Sequence, residues 1–237
     1  MLTFILAESS IERIPPQLAK HRSVIAHARR KNREPSSLIL DRSYHHSAIR
    51  AAESRNHSED FLKRGRPDIT FHVLLQALGS PLNLEELMRT YVHTIDDDVI
   101  DVNPRVKLPI NYDRYIVLLE QLYEEKSVPP GEQSLLSIRK CTLPELVRES
   151  RISTIVAFST LGKPVTVKEA CLPIVEADAP AVVIGGFPHS HFNQSTTQLA
   201  NHVFSIDKEP LDAWIVAARV IYEYENGIHL PQKRLRA

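Results

Sequence analysis

The sequence predicts an α/β protein, with a mostly parallel sheet covered by helices on both faces. Unbroken apolar runs recur at residues 2–6, 154–158, 181–184 and 203–206, with helix-forming stretches between the last three. A strand buried on both faces reads as such a run rather than as an alternation. The chain also opens as strand, helix, strand, helix, the order of a crossover fold. Residues 89–93 (RTYVH) and 99–102 (VIDV) flank Asp96-Asp97-Asp98 and add a β-hairpin.

The elements follow in order. LTFIL at 2–6 is the first strand, Glu8-Ser9-Ser10 a polar turn, and residues 11–14 a helix broken at Pro15-Pro16. Residues 21–31 form a basic helix with Val24, Ile25 and Ala28 on its apolar side. SLIL at 37–40 is a second strand, and Asp41-Arg42-Ser43 leads into a helix at 46–52. After the turn Arg64-Gly65-Arg66-Pro67, Asp68 is placed to cap a helix that Gly79-Ser80-Pro81 stops. Its Ile69, Phe71, Val73, Leu74, Leu75 and Leu78 are too dense for a surface helix. Beyond the hairpin, residues 114–123 form an amphipathic helix and VPPG at 128–131 a loop. In the last third, Gly162-Lys163-Pro164 is a turn and Gly185-Gly186 ends a strand. Pro210 starts a helix with Leu211, Trp214, Ile215, Ala218, Ile221 and Tyr222 on one face, which Asn226-Gly227 ends.

At 237 residues the chain holds one large domain or two small ones and can bury a core without disulfides. Its 43% hydrophobic and 24% charged residues exclude a disordered or fibrous chain. No apolar run approaches the roughly 18 residues of a membrane span, and the first residues do not read as a secretory signal. Cys141 and Cys171 have neither disulfide-framework nor zinc spacing, so both are expected as reduced thiols. The net charge of zero hides an asymmetry: residues 20–66 carry 12 Lys and Arg against five acidic residues, with five of the eleven histidines. One strongly basic segment on a neutral protein points to a polyanion. Arginine outnumbers lysine 19 to 10, which favours bidentate contacts to nucleic acid.

The usual nucleotide and nucleophile motifs are absent: no GxGxxG, no GxxxxGK[ST], no GxSxG. His189 and His191 lack a neighbouring carboxylate, and His45 and His46 face different sides of a helix, so no metal is expected. Gly185-Gly186 at a strand end allows a ligand to approach the backbone, where α/β sheets bind ligands. Asp68, two residues from Arg66 across Pro67, can hold the guanidinium in one orientation for a phosphate or base edge, and can also cap the helix. A general-base role for Asp68 ranks below orientation. Arg105, Lys107, Tyr112 and Arg114, basic groups beside an aromatic, suit single-stranded RNA.

Taken together, RGRPDITFHVLLQALGSPLN, YVHT, KLPINYDRY, IGGFPHSHF and SIDKEPL resemble the small-subunit ribosomal RNA pseudouridine N1-methyltransferases of ribosome biogenesis, the Nep/Emg family of the SPOUT superfamily. The resemblance covers nearly the whole chain, which reads as one domain, 1–237, with an inserted hairpin extension at about 88–110. The compact N-terminus looks like the archaeal form.

The resemblance implies a C-terminal trefoil knot whose loops cradle S-adenosylmethionine. Those loops are Phe158, Ser159 and Thr160; Ile184, Gly185, Gly186, Phe187 and Ser190; and Ser205, Ile206, Asp207, Lys208, Glu209, Pro210 and Leu211. It implies a homodimer acting on small-subunit ribosomal RNA, with no membrane partner, in the cytoplasm (or nucleolus, for a eukaryotic source). Arg66 would contact the RNA and Asp68 steady it. As the catalytic cation, Arg66 would stabilise the anion left when N1 of pseudouridine loses its proton. The RNA grip departs from the family pattern of three arginines at Lys107, Ile110 and Arg114, of which only Arg114 is retained. Arg105 or Asn111 are the candidates to compensate. Ser190 stands where the family often has glycine, which matters if the loop needs a positive φ there. The alternatives are a SPOUT enzyme acting on another base or on transfer RNA, and an RNA-binding assembly factor with secondary or lost methylation.

Overall fold

The computed structural model describes residues 1–56 and 59–236. His57, counted in the basic segment, lies outside them.

Eight strands form one sheet: β1 (Leu2–Ser9), β2 (Met88–Thr94), β3 (Asp98–Val102), β4 (Ser127–Val128), β5 (Leu136–Lys140), β6 (Thr154–Pro164), β7 (Pro180–Gly185) and β8 (His202–Ser205), in the order β4-β5-β3-β2-β1-β7-β6-β8. From β2 to β8 all neighbours run parallel; β3, β4 and β5 close the other side antiparallel. The hairpin is continuous with the main sheet, because β2 pairs along β1 from Leu2↔Met88 onward.

Pleating decides where the core sits. On β1, Leu2, Phe4 and Leu6 face one side, and Ile5 and Ala7 the other. The first side packs against α4 (Pro67–Leu78), α6 (Tyr112–Glu125), α8 (Val167–Glu176) and α10 (Ala213–Gly227). The second packs against α7 (Leu143–Glu149) and, through Leu199, α9 (Gln194–Leu199). Both faces are therefore covered, as the unbroken apolar runs require. The basic segment forms a satellite: α1 (Pro16–Ala19), α2 (Arg22–Lys31) and α3 (Arg42–Asn56) bury Leu18, Val24, Ala28, Ala48 and Ile49 together with Leu38 and Leu40. Arg22, Arg29, Arg30 and Lys31 remain exposed. Two short helices, α5 (Pro81–Leu84) and α11 (Leu230–Arg236), complete the chain. Among the described residues no helix is long and apolar enough to cross a membrane.

Several expectations are corrected. β1 continues through the expected turn to Ser9, with Glu8 left-handed at φ 51°. Residues 11–14 are extended rather than helical, and SLIL makes only one bridge, Ile39 to Arg13, outside the sheet. Its three apolar side chains are consumed by two cores instead. Gly162-Lys163-Pro164 lies inside β6, which leaves β8 after Phe158 and rejoins it at Lys163. Pro210 and Leu211 precede α10 rather than starting it. Gly227 lies within α10, and the left-handed residue beyond that helix is His229, φ 57°. Both cysteines are free and buried, and burial pushes the Cys171 thiol up to about 12.

Candidate functional site

The C-terminal ends of β6, β7 and β8 open on one side, and the loops that follow them enclose a cleft. It has about 800 Å³ of free space, solvent at its mouth included. Of the residues expected in the three loops, Phe158, Ser159, Thr160, Ile184, Gly185, Phe187, Ser190, Ser205, Ile206, Asp207, Glu209, Pro210 and Leu211 line it. Two expected residues, Gly186 and Lys208, do not. A Cβ on Gly186 would sit 2.2 Å from Ser9 Oγ and 2.8 Å from Ser9 Cα. The Gly186 N–H donates to Ala7 O at 2.9 Å and its carbonyl accepts from Ser10 N–H at 2.9 Å. This glycine exists for close approach to β1, not to a ligand. Lys208 is exposed on a turn and is not part of the lining. That turn is set by Asp207, whose Oδ1 accepts from Glu209 N–H at 3.1 Å and whose carbonyl accepts from Ser205 Oγ at 2.8 Å.

The sequence reading missed Pro188, His191, Phe192, Phe204, Ala213 and Val216. A signal existed for Phe187 and Phe192: two aromatics five apart in a loop find each other, and the rings meet edge-on at 5.6 Å. Ser190 adopts φ 79°, a left-handed backbone at the position where a positive φ was the question.

Beside the cleft stands the N-terminus of α4. Arg66 occupies the N-cap position and Pro67 the first helical position. Asp68 does not cap the helix, contrary to expectation. Instead its two oxygens fork the guanidinium, accepting from Nε and Nη2 at 2.8 Å each. The fork turns the carboxylate toward Arg66 and away from the helix amides, to which no side chain among the described residues is bonded at this end. Hydrogen bonding to Asp68 raises the Arg66 pKa further, against partial burial, so the cation is held charged. Asp212 and Tyr112 also act on this guanidinium, and Asp212 lies between the cleft residues Leu211 and Ala213. Because α4 packs against α10 and Asp212 is the N-cap residue of α10, Arg66 at the head of α4 stands on the cleft's side of the molecule. Tyr112 opens α6, packs edge-on against Phe71 at 5.6 Å and donates to buried Asp41 Oδ2 at 2.7 Å. Burial first, and Asp41 second, raise the Tyr112 pKa above the ordinary phenol range.

The remaining candidates for the nucleic-acid face divide. Arg114, in the first turn of α6, and Lys107 are exposed, and no ion pair engages either among the described residues. Arg105 is paired with Glu86 at 2.7 Å. The Asn111 side chain caps α6, accepting from Arg114 N–H at 3.0 Å. Neither residue expected to compensate for Ile110 is therefore unengaged. Ile110 itself is 86% exposed, an apolar side chain presented to solvent beside Arg114. His45 is buried against His27, with Nε2 to Nδ1 at 2.9 Å, while His46 is exposed. Among the described residues no cluster could hold a metal.

The EMG1/NEP1 methyltransferase family model matches residues 4–225. The ribosomal RNA small subunit methyltransferase Nep1 of Pyrococcus furiosus is 38% identical over 224 residues, 94% of this chain and 96% of that protein. Its counterpart in Thermococcus sibiricus is 36% identical over 228 residues, 96% of this chain and 99% of that one. The crystal structure of Archaeoglobus fulgidus Nep1 bound to S-adenosylhomocysteine superposes with a TM-score of 0.82 at 33% identity, covering 96% of this chain and 98% of that chain. A deep cleft at the ends of three parallel strands, a forked arginine at its rim and these matches along the full length agree: this chain belongs to the EMG1/NEP1 methyltransferase family.

Proposed function

We propose that this protein transfers the methyl group of S-adenosylmethionine to N1 of a pseudouridine in small-subunit ribosomal RNA, within small-subunit ribosome biogenesis. The observation that carries the reading is the adjacency of the strand-end cleft to a guanidinium held charged and oriented. Arg66 heads α4, which packs against α10, and the N-cap of α10, Asp212, lies between two cleft residues; the related Archaeoglobus fulgidus Nep1 carries S-adenosylhomocysteine.

The residues present fit that cofactor. The cleft's lining combines apolar side chains with a few polar groups, as small-molecule sites do. Ile184, Phe187 and Leu211 offer apolar surface for an adenine ring, and the Asp207 and Glu209 carboxylates can accept from ribose hydroxyls. When bound, S-adenosylmethionine supplies an electrophilic methyl on a sulfonium. The chain's own residues position and polarise. Pseudouridine is joined to ribose through carbon, so its N1 carries a proton and becomes an anion on losing it. The N1 proton passes to water, Arg66 stabilises the anion left behind, and Asp68 fixes the fork. Lys107, Arg114 and the exposed arginines of α2 hold the RNA backbone. The reading extends to a single domain, a C-terminal trefoil knot, a homodimer and a cytoplasmic or nucleolar site of action.

The test compares two RNA stem-loops that differ in one base, with pseudouridine or uridine at the target. Mass mapping is expected to find one methyl, on N1 of pseudouridine, and none on the uridine RNA, whose N1 is already bonded to ribose. Methylation of the uridine RNA, or at another atom, sinks the reading.

A further inference from the structure

A second cavity lies across the loop after β7 from the cofactor cleft. It has about 1,090 Å³ of free space, solvent at its mouth included, and is formed where β1 and β2 end. The sheet order changes direction at β1, with β2 on one side and β7 on the other, and crevices at such points are where open α/β sheets bind ligands. The methyl-transfer reading makes no use of it.

Its inner wall is an ordered polar network. Buried Glu8, in its left-handed conformation, pairs with buried Lys63 and accepts from Asn193 N–H at 2.9 Å. Lys63 donates to Asn193 Oδ1 at 3.0 Å and lies 4.8 Å from the centre of the Phe187 ring. One loop thus builds both cavities, with Phe187 in the cofactor cleft and Asn193 in the second. Because Lys63 only donates, the Asn193 amide must turn its oxygen to the lysine and its NH₂ elsewhere. Arg64 supplies further donors. Its Nε stands 3.5 Å from buried Glu12 Oε1, its Nη1 has no hydrogen-bond partner, and the guanidinium packs over Phe61 at 5.1 Å. Ile95, Leu143 and Pro144 give an apolar wall opposite.

Donors on one side and an apolar wall on the other suit a nucleotide: acceptor-rich phosphate and base carbonyls, with a flat face to stack. Its source is fixed by Gly65. At φ 72° it separates Arg64, in this cavity, from Arg66, beside the cofactor cleft. Their Cα atoms are at most about 7 Å apart, within reach of neighbouring nucleotides on one strand. We propose that the second cavity takes a nucleotide flanking the target in the same RNA, its phosphate on Arg64 and its base against Ile95, Leu143 and Pro144. The assignment rests on the RNA-methyltransferase reading above.

The test fills the cavity from its rim. Ser195 is exposed on α9 and lines only this cavity, so Ser195→Trp occupies the space without disturbing the core. Asn193→Asp is the second variant; it keeps an oxygen for Lys63 and removes the NH₂ donor. RNA affinity is measured by anisotropy with the pseudouridine stem-loop, and S-adenosylhomocysteine affinity by calorimetry. The expected result is RNA binding weakened about tenfold or more in Ser195→Trp, the scale of one lost base stack, and several-fold in Asn193→Asp, with S-adenosylhomocysteine binding unchanged. If all three proteins methylate the RNA and bind it equally, the cavity assignment falls and the function stands. A parent protein that neither binds nor methylates the RNA overturns both.

Discussion

Gly186 and Gly185 are adjacent, yet only one touches the cleft. The sequence reading treated the pair as ligand-facing, because a strand-end glycine pair has no feature that separates approach to a ligand from approach to a neighbouring strand. Gly186 is pinned to β1, so Gly186→Val should cost stability rather than only cofactor binding. The contact with Ser9 Cα is backbone and cannot swing aside. We expect a loss of about 1–3 kcal/mol or more, read as a lowered denaturation midpoint. Asp68 invites the complementary experiment. It caps nothing, so Asp68→Asn should change stability by less than about 1 kcal/mol while RNA affinity and turnover fall together. Adding that change to Arg66→Ala should cost little more than Arg66→Ala alone, since the two side chains act as one unit. Abolished turnover with unchanged RNA affinity would instead make Asp68 the base.

Among elements, α6 shows how a local feature sets a functional surface. Asn111 caps it, Tyr112 anchors its first turn to Asp41, and Arg114 is carried outward from that turn. Asp41 is buried, with Oδ1 accepting from Ser43 N–H at 2.7 Å. Tyr112→Phe leaves Asp41 Oδ2 without its donor, at a cost of about 1–3 kcal/mol. The start of α6 should loosen with it, weakening RNA binding while S-adenosylhomocysteine binding holds. Unaltered RNA affinity in Tyr112→Phe would detach this anchor from the RNA face. The apolar strands and the helices α2, α4 and α6 were legible in the sequence because burial alone dictates their pattern. β5 was not. Its Leu136 and Ile138 are the only apolar residues of a five-residue strand that pairs with β3. SLIL misled in the opposite direction, since filling a satellite core demands the same apolar run as joining a sheet. Asn226-Gly227 misled because glycine has two uses. Here a Cβ would meet Val175 Cγ2 at 2.5 Å, so the residue serves the packing of α10 on α8 rather than a helix stop.

At the scale of the molecule, charge and titration decide how it responds to solution. If the exposed cations of α2 with Lys107 and Arg114 form the proposed RNA face, RNA binding should depend on salt. With three phosphates neutralised, affinity should fall about twentyfold as salt rises from about 50 to about 200 mM, and a flat response would make those cations mere solvated surface. Stability should respond to pH through two buried groups of opposite sign. Burial raises the Glu12 carboxyl from 4.5 to about 8, Arg64 opposing. The folded chain keeps a proton there that the unfolded chain has released, so this contribution is whole below pH 4.5 and is lost as pH rises through 8. Burial, with His27 beside it, lowers His45 from 6.5 to about 4. Its contribution is whole above pH 6.5 and is lost as pH falls toward 4. Between pH 6.5 and 8 the Glu12 effect runs, up to about 1.4 kcal/mol per pH unit. Melting temperature should therefore decline across that interval more steeply in the parent than in Glu12→Gln; parallel curves would contradict the assignment.

The excursion in β6 has a consequence for how the chain tolerates change in length. Phe158 and Lys163 both pair with Phe204, so the segment between them is a detour with both feet on the same residue of the edge strand. Ser159 and Thr160 on that detour line the cleft. A residue spliced in between Ser159 and Leu161 would lengthen the detour and redraw the cleft wall while both feet stay planted. A residue spliced in before Phe158 has no such slack: it would move the side chains on one side of it from one packed face of the sheet to the other. The cleft can thus be resized within a few residues of a strand that cannot be moved, and the two insertions, placed side by side, should yield one folded protein and one that is not.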